Sequence, residues 1–134
     1  MGASVFVDTN VLLYLLSKDE AKAGRAEEIL RLNCILSVQV LNELTNVARR
    51  KLSMPWDEVH DFVDLVVGLC PVRPLTLEIH ERGRALAERY QLSLYDAMIV
   101  ASALDAGCEV LYSEDMHAGL RMDGRLRIAN PFRD

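Results

Sequence analysis

The chain has 134 residues, 51% of them hydrophobic and 26% charged, which suits a single globular domain spanning 1–134 and is too apolar for disorder as the main state. Its net charge of -5 argues against nucleic-acid binding through a generally basic surface. It leaves open a nucleic-acid enzyme whose acids recruit phosphate through a cation.

Cys34, Cys70 and Cys108 are far apart, with no CxxC spacing, and His60, His80 and His117 form no HExxH unit, so zinc sites of those kinds are not expected. An odd number of separated cysteines with apolar neighbours reads as buried thiols in a reducing compartment. The opening Met1-Gly2-Ala3-Ser4-Val5-Phe6 lacks a basic leader region, and Phe6 stands where a myristoylation signal wants Ser or Thr. No apolar run is long enough to span a bilayer. A cytoplasmic protein without membrane association is the expectation.

In chain order, Ser4-Val5-Phe6-Val7 reads as a short buried strand. Asp8, Thr9 or Asn10 can cap a helix over 11–16. A second helix is expected over 20–32, with Ala23, Ala26, Ile29 and Leu30 as its apolar stripe. Cys34-Ile35-Leu36 reads as a second strand. Ser37 then caps a helix carrying Val40, Leu41, Leu44, Val47 and Ala48 at helical period, closed by Arg49, Arg50 and Lys51. After Ser53-Met54-Pro55, the next helix starts near Pro55, and Trp56, Val59, Phe62, Val63, Val66 and Val67 are expected on one face.

The segment Pro71-Val72-Arg73-Pro74-Leu75 suits an edge strand because of its prolines. Thr76 caps a helix over 77–90, and Ser93 caps another over 94–106 that Gly107 terminates. The run from Ala97 to Leu104 is apolar almost all round, so this last helix should be central. Residues 109–112 form a strand and 126–129 another. Strands separated by helices imply parallel pairing through right-handed crossovers, an α/β sandwich.

Against this frame the positions of four carboxylates stand out. Asp8 ends the first strand and Asp115 follows the strand at 109–112. Glu43 and Asp96 interrupt otherwise apolar helical patterns, Val40-Leu41-Asn42-Glu43-Leu44 and Leu94-Tyr95-Asp96-Ala97-Met98. Each has a plain explanation alone: a helix cap for Asp8, a solvated helix flank for Glu43, an N-terminal cap for Asp96, a turn residue for Asp115. Ligands of parallel sheets bind beyond the carboxyl ends of the strands, and all four can face one cleft there. Isolated buried carboxylates are paired, protonated or metal-bound, and no Lys or Arg lies within the strand-like runs that Asp8 and Asp115 follow. A divalent cation and phosphodiester hydrolysis are the chemistry such a set suits.

The segments Val7-Asp8-Thr9-Asn10-Val11-Leu12, Leu41-Asn42-Glu43-Leu44, Leu94-Tyr95-Asp96-Ala97-Met98-Ile99-Val100-Ala101 and Leu111-Tyr112-Ser113-Glu114-Asp115-Met116 resemble the acidic motifs of PIN-domain nucleases. The likeness is greatest to small toxins of the VapC type, and extends to the terminal Leu126-Arg127-Ile128-Ala129-Asn130-Pro131-Phe132. The resemblance implies a PIN-like three-layer sandwich with a mostly parallel sheet flanked by helices. It implies a ribonuclease using Mg2+, or Mn2+, with Asp8, Asp96 and Asp115 as metal ligands and Glu43 as ligand or outer-shell base.

Ser113, Asn10 and Glu114 are the supporting residues on this reading, and Glu114 competes with Asp115 for the ligand role. Water as the nucleophile and a 3′-hydroxyl product are further implications. So are an RNA substrate, a cognate VapB-like antitoxin and a homodimer. The dimer is expected to pack through the region from Glu43 to Cys70, and the antitoxin to dock near Leu12, Leu13, Leu15 and Leu16. The alternatives are a non-catalytic RNA- or partner-binding module and a metal-dependent DNA nuclease or phosphatase. Phosphate-loop motifs are absent, and Asn10 stands where a dehalogenase-like phosphatase would need an acid. Arginines such as Arg49, Arg50, Arg82, Arg121 and Arg125 can track RNA, though most suit solvated helix ends. Tyr95 can stack on a base, but beside a buried helix it more often packs.

Overall fold

The computed structural model describes residues 4–116 and 118–133. The opening Met1-Gly2-Ala3 and His117, both weighed above, lie outside those residues. The apolar run at the start forms β1 (Val5–Val7), and β2 (Cys34–Ser37), β4 (Val110–Tyr112) and β6 (Leu126–Ala129) join it in one sheet. With the two-residue strands β3 (Val72–Arg73) and β5 (Arg121–Met122), the order is β3-β2-β1-β4-β6-β5. Every pairing is parallel except that of β5 with β6. The prolines around Val72 do mark an edge strand. The hairpin partner β5 is an addition that sequence patterning did not anticipate.

The helices are α1 (Thr9–Leu13), extended by a 3-10 turn at Tyr14–Leu16, then α2 (Glu20–Leu30), α3 (Val38–Arg50), α4 (Trp56–Leu69), α5 (Leu77–Tyr90) and α6 (Leu94–Asp105). Hydroxyl caps fix where three of them begin. Ser37 accepts from the Val40 amide, Thr76 from Ile79 and Ser93 from Asp96, satisfying amides that the first helical turn leaves free. Gly107, at φ 75, turns the chain out of α6. α6 is buried from Ala97 to Leu104, as its uniformly apolar sequence requires. α5 comes close enough that a Cβ on Gly83 would meet Met98 Sδ at 2.8 Å.

Phe6, Leu36, Ile99, Leu111 and Ile128 are fully buried between sheet and helices; truncating such a residue to Ala costs about 2–5 kcal/mol.

Three expectations need correction. Cys34 and Cys70 are not separate thiols but a disulfide, Cα atoms 5.6 Å apart, leaving Cys108 as the free buried cysteine. The crossover from β2 to β3 brings the start of one strand beside the approach to the next, which a sequence separation of 36 conceals. On α4, Val59, Phe62 and Val66 are buried but Trp56 and Val67 are exposed, together with Leu65 and Leu69. An apolar helix whose residues exceed one stripe cannot bury all of them against one layer. Leu12, expected at a docking groove, is fully buried core, whereas Leu16 is exposed. Among the described residues no helix is long and apolar enough to cross a membrane.

Candidate active site

From β1 the chain builds outward to β2 and β3 on one side, then crosses back to place β4 on the other, so β1 and β4 flank the switch point of the sheet, where open α/β folds form their crevice. Val7 is in register with Tyr112, and the next residue of each strand, Asp8 and Ser113, projects beyond the carboxyl end. Asp8 N–H donates to Tyr112 O at 3.0 Å and Ser113 N–H to Ala129 O at 2.9 Å, so both are held by the ladder. Asp8 is 4% exposed and Ser113 fully buried.

The Asp8 carboxylate is fixed from two sides. Its Oδ1 accepts from the Thr9 amide at 2.7 Å and its Oδ2 from Ser113 Oγ at 2.7 Å. A weaker contact from Asn10 Nδ2 lies at 3.4 Å. Burial pushes the Asp8 carboxyl up to about 7 against those hydrogen bonds, and the charges of Asp96 and Glu43 push the same way. Burial likewise raises Asp96, partly offset by its bond with Ser93 and reinforced by the charge of Asp115. The electrostatics thus chain the four acids together: Glu43 and Asp96 act on Asp8, and Asp115 on Asp96. Among the described residues none of the four has a Lys or Arg within 4 Å.

Helix α3 delivers Glu43, which accepts from Gln39 Nε2 at 2.9 Å and Thr9 Oγ1 at 3.3 Å. Gln39 one turn earlier on the same face is the pairing that helical spacing permits. Neither Gln39 nor Thr9 stood out in the sequence as a partner of an acid.

Asp115 sits on the segment after β4, which is braced from both ends. Ser113 Oγ accepts from Met116 N–H at 3.2 Å while donating to Asp8. Asn10 Oδ1 accepts from Glu114 N–H at 3.1 Å. Glu114 itself turns away into a clasp: Tyr14 donates to its Oε1 at 2.6 Å and Lys22 to its Oε2 at 3.0 Å, and Lys22 also donates to Tyr14. The Lys22 ammonium lies over the rings of Tyr14 and Phe132, a favourable cation–π arrangement. Burial raises the Glu114 carboxyl, but the bonds from Tyr14 and Lys22 outweigh it and hold it below the usual range. Glu114 is therefore held in the clasp while Asp115 is exposed, and both border a 380 Å³ slot with Asn10, Leu13, Tyr14 and Val47. Nothing in the sequence announced Tyr14 or Lys22, which lie 100 and 92 positions from Glu114.

Carboxylate oxygens are hard donors suited to Mg2+ or Mn2+, and a buried acid without a cationic partner is what such an ion would neutralise. The donor chemistry fits. The spacing is looser: among the described residues no three acidic, His or Cys side chains are gathered tightly enough to hold an ion between them.

The PIN domain family model matches residues 5–118. The chain belongs to the PIN-domain family. Solved structures that share this PIN fold include a toxin–antitoxin complex from Klebsiella pneumoniae, with TM-score 0.73 and 22% identity over 97% of this chain and 99% of that one. A DNA-bound VapBC from Salmonella typhimurium gives 0.71 and 20% over 97% and 99%. VapC20 of Mycobacterium tuberculosis, described as a sarcin-ricin-loop-cleaving toxin, gives 0.65 and 20% over 83% and 89%. No curated protein matches the sequence significantly. The sheet of this PIN domain is the mostly parallel, helix-flanked one that the sequence resemblance implied.

Proposed function

We propose that this PIN domain is a metal-dependent endoribonuclease and the toxin of a VapBC-type pair. One observation carries the reading: Asp8 is buried at the switch point of the sheet, facing Glu43 and Asp96, with no Lys or Arg within 4 Å among the described residues. Purely structural acids are paired or exposed.

On this reading Asp8, Asp96 and Asp115 would hold Mg2+ or Mn2+, with Glu43 as ligand or outer-shell base. Bound there, the cation would supply charge to offset the phosphate and to acidify a water. The protein's own part is preorganisation. The Thr9 amide and Ser113 hydroxyl lock the orientation of Asp8, and Gln39 with Thr9 does the same for Glu43, whose carboxylate can take a proton from the attacking water. The Tyr14–Lys22–Glu114 clasp holds the segment carrying Asp115. Tyr95, expected to pack, is 63% exposed near Asp96 in sequence, where its ring is free to stack on an unpaired base.

RNA as substrate is supported by the PIN family and by VapC20, a fold neighbour described as cutting the sarcin-ricin loop. An antitoxin partner is supported by neighbours described as toxin–antitoxin and VapBC complexes. The groove among Leu15, Leu16, Leu30, Phe62, Leu65 and Leu69 keeps Leu15 and Leu16 of the expected surface for it and leaves out the buried Leu12. A homodimer through α4 would use the outward Trp56 and Val67, outside that groove, rather than the buried Val59 and Val66. The deciding experiment incubates purified protein with structured RNA and single-stranded DNA, with Mg2+, Mn2+ or a chelator. Metal-dependent endonucleolytic cuts in RNA support the reading; inertness towards RNA in every metal would overturn it.

A further inference from the structure

At the end of β4 away from the acids, Arg121 of β5 and Arg127 of β6 are register partners in the antiparallel pair. Directly opposed residues share a face of the sheet, so the two guanidinium groups stand side by side. Arg127 is also the register partner of Val110 on β4, which extends the row onto the next strand. Arg125, on the turn between β5 and β6, joins them, and the three line a surface cavity of 510 Å³ with Glu109 and Val110.

All three arginines are exposed, and among the described residues none has a carboxylate within 4 Å. Among those residues Arg25, Arg73, Arg82 and Arg89 each have an acid while Arg31, Arg49, Arg50 and Arg84 do not, so what distinguishes the three is their gathering around one cavity. Like charges placed directly across a ladder destabilise it, so the row costs the fold something that a neutral pair would not. In a chain of net charge -5, gathering unpaired positive charge in one cavity is the reverse of what the average surface does. Arg125 is also anchored, its Nη2 donating to the Leu104 carbonyl at the end of α6, which limits the freedom of its side chain.

We propose that Arg121, Arg125 and Arg127 form a second contact for the phosphate backbone of the RNA, outside the cleavage site. This rests on the ribonuclease reading. Guanidinium forks match phosphate oxygens in pairs. Besides the arginines the cavity is lined by Gly107, Cys108, Glu109 and Val110, one carboxylate against three guanidinium groups and none of the large aromatic anchors that hold a protein partner. Val110 and Ser113 are three residues apart, about 10 Å along an extended strand, so one folded RNA can reach both ends of β4.

The test compares wild type with Arg121→Gln/Arg127→Gln and with Arg121→Lys/Arg127→Lys in the full chain. A structured RNA hairpin in chelator gives binding by fluorescence anisotropy over a salt series. The same hairpin and a short oligonucleotide give cleavage with Mg2+, and melting temperature is measured in parallel. The Gln variant should bind the hairpin about tenfold or more weakly at low salt, with the slope of log K against log salt reduced by roughly 1.4–1.8 for two lost phosphate contacts. The Lys variant should keep most of that slope, and the Gln variant should melt no lower than wild type. Cleavage of the short oligonucleotide should be unchanged. A Gln variant with wild-type salt slope and hairpin cleavage overturns the row and leaves the ribonuclease reading standing. Loss of salt-dependent hairpin binding in the Gln variant, with no cleavage by either protein, supports the row and overturns the ribonuclease reading.

Discussion

The Ser113 hydroxyl donates to Asp8 Oδ2 at 2.7 Å across 105 positions of sequence, joining the ends of β1 and β4 at the switch point. The same oxygen accepts from the Met116 amide, so one hydroxyl orients the buried acid and shapes the segment bearing Asp115.

That buried acid should give the metal-free protein an unusual pH dependence. Asp8 has its carboxyl raised from 3.8 to about 7, first by burial. The folded state therefore holds a proton that the unfolded chain releases. This group's contribution to stability is full below about pH 4, falls as pH rises through 7 and is flat above. Three pH units correspond to on the order of 4 kcal/mol. In chelator, Asp8→Asn should melt higher than wild type at pH 8 and close to it at pH 4, measured by circular dichroism. Equal melting differences at both pH values would contradict the assignment.

The clasp separates the roles of adjacent acids. Glu114→Gln and Tyr14→Phe leave Asp115 in place but loosen its segment. Each should cost about 1 kcal/mol of stability, and weaken apparent Mg2+ affinity about tenfold, as loss of a supporting partner does. Cleavage should return at saturating Mg2+. Asp115→Asn should not recover. A Glu114→Gln protein as inert as Asp115→Asn at every Mg2+ concentration would make Glu114 the ligand.

The Cys34–Cys70 bridge spans a sequence separation of 36, and closing such a loop stabilises by about 4 kcal/mol in the chain-entropy account. Reduction, or Cys34→Ala/Cys70→Ala, should lower the melting temperature by roughly 10 °C. Burial pushes the Cys108 thiol up to about 11, so native, unreduced protein should resist alkylation at pH 8. Rapid labelling of native protein at either bridge cysteine would show that the bridge is not formed in solution.

Local chemistry made much of this architecture readable. The Ser37, Thr76 and Ser93 caps are where the hydroxyls before apolar runs put them, and the unbroken apolar stretch of α6 predicts its burial. Asp8, Asp96 and Asp115 stand at strand or helix ends and Glu43 inside α3, so parallel topology leads to the expectation of a common rim. What was hidden depends on long-range register. Two-residue β5 is too short to carry a pattern, and Cys34 meets Cys70 only through the β2–β3 crossover. The partners of Glu114 come from α2 and the 3-10 turn, far away in sequence. Trp56 shows the limit of helical periodicity: α4 has more apolar residues than one buried stripe, and period alone does not say which face turns inward.

The most direct test of the central claim is cleavage of a structured RNA by wild type, Asp8→Asn and Asp96→Asn, each first shown to be folded. Removing one of several facing carboxylates relieves like-charge repulsion, so both variants should be at least as stable as wild type without metal. Cleavage by wild type should require Mg2+ or Mn2+ and fall by a factor of about 100 or more in each variant, the loss of close to 3 kcal/mol of transition-state stabilisation. Folded variants that cut RNA at the wild-type rate would contradict the account.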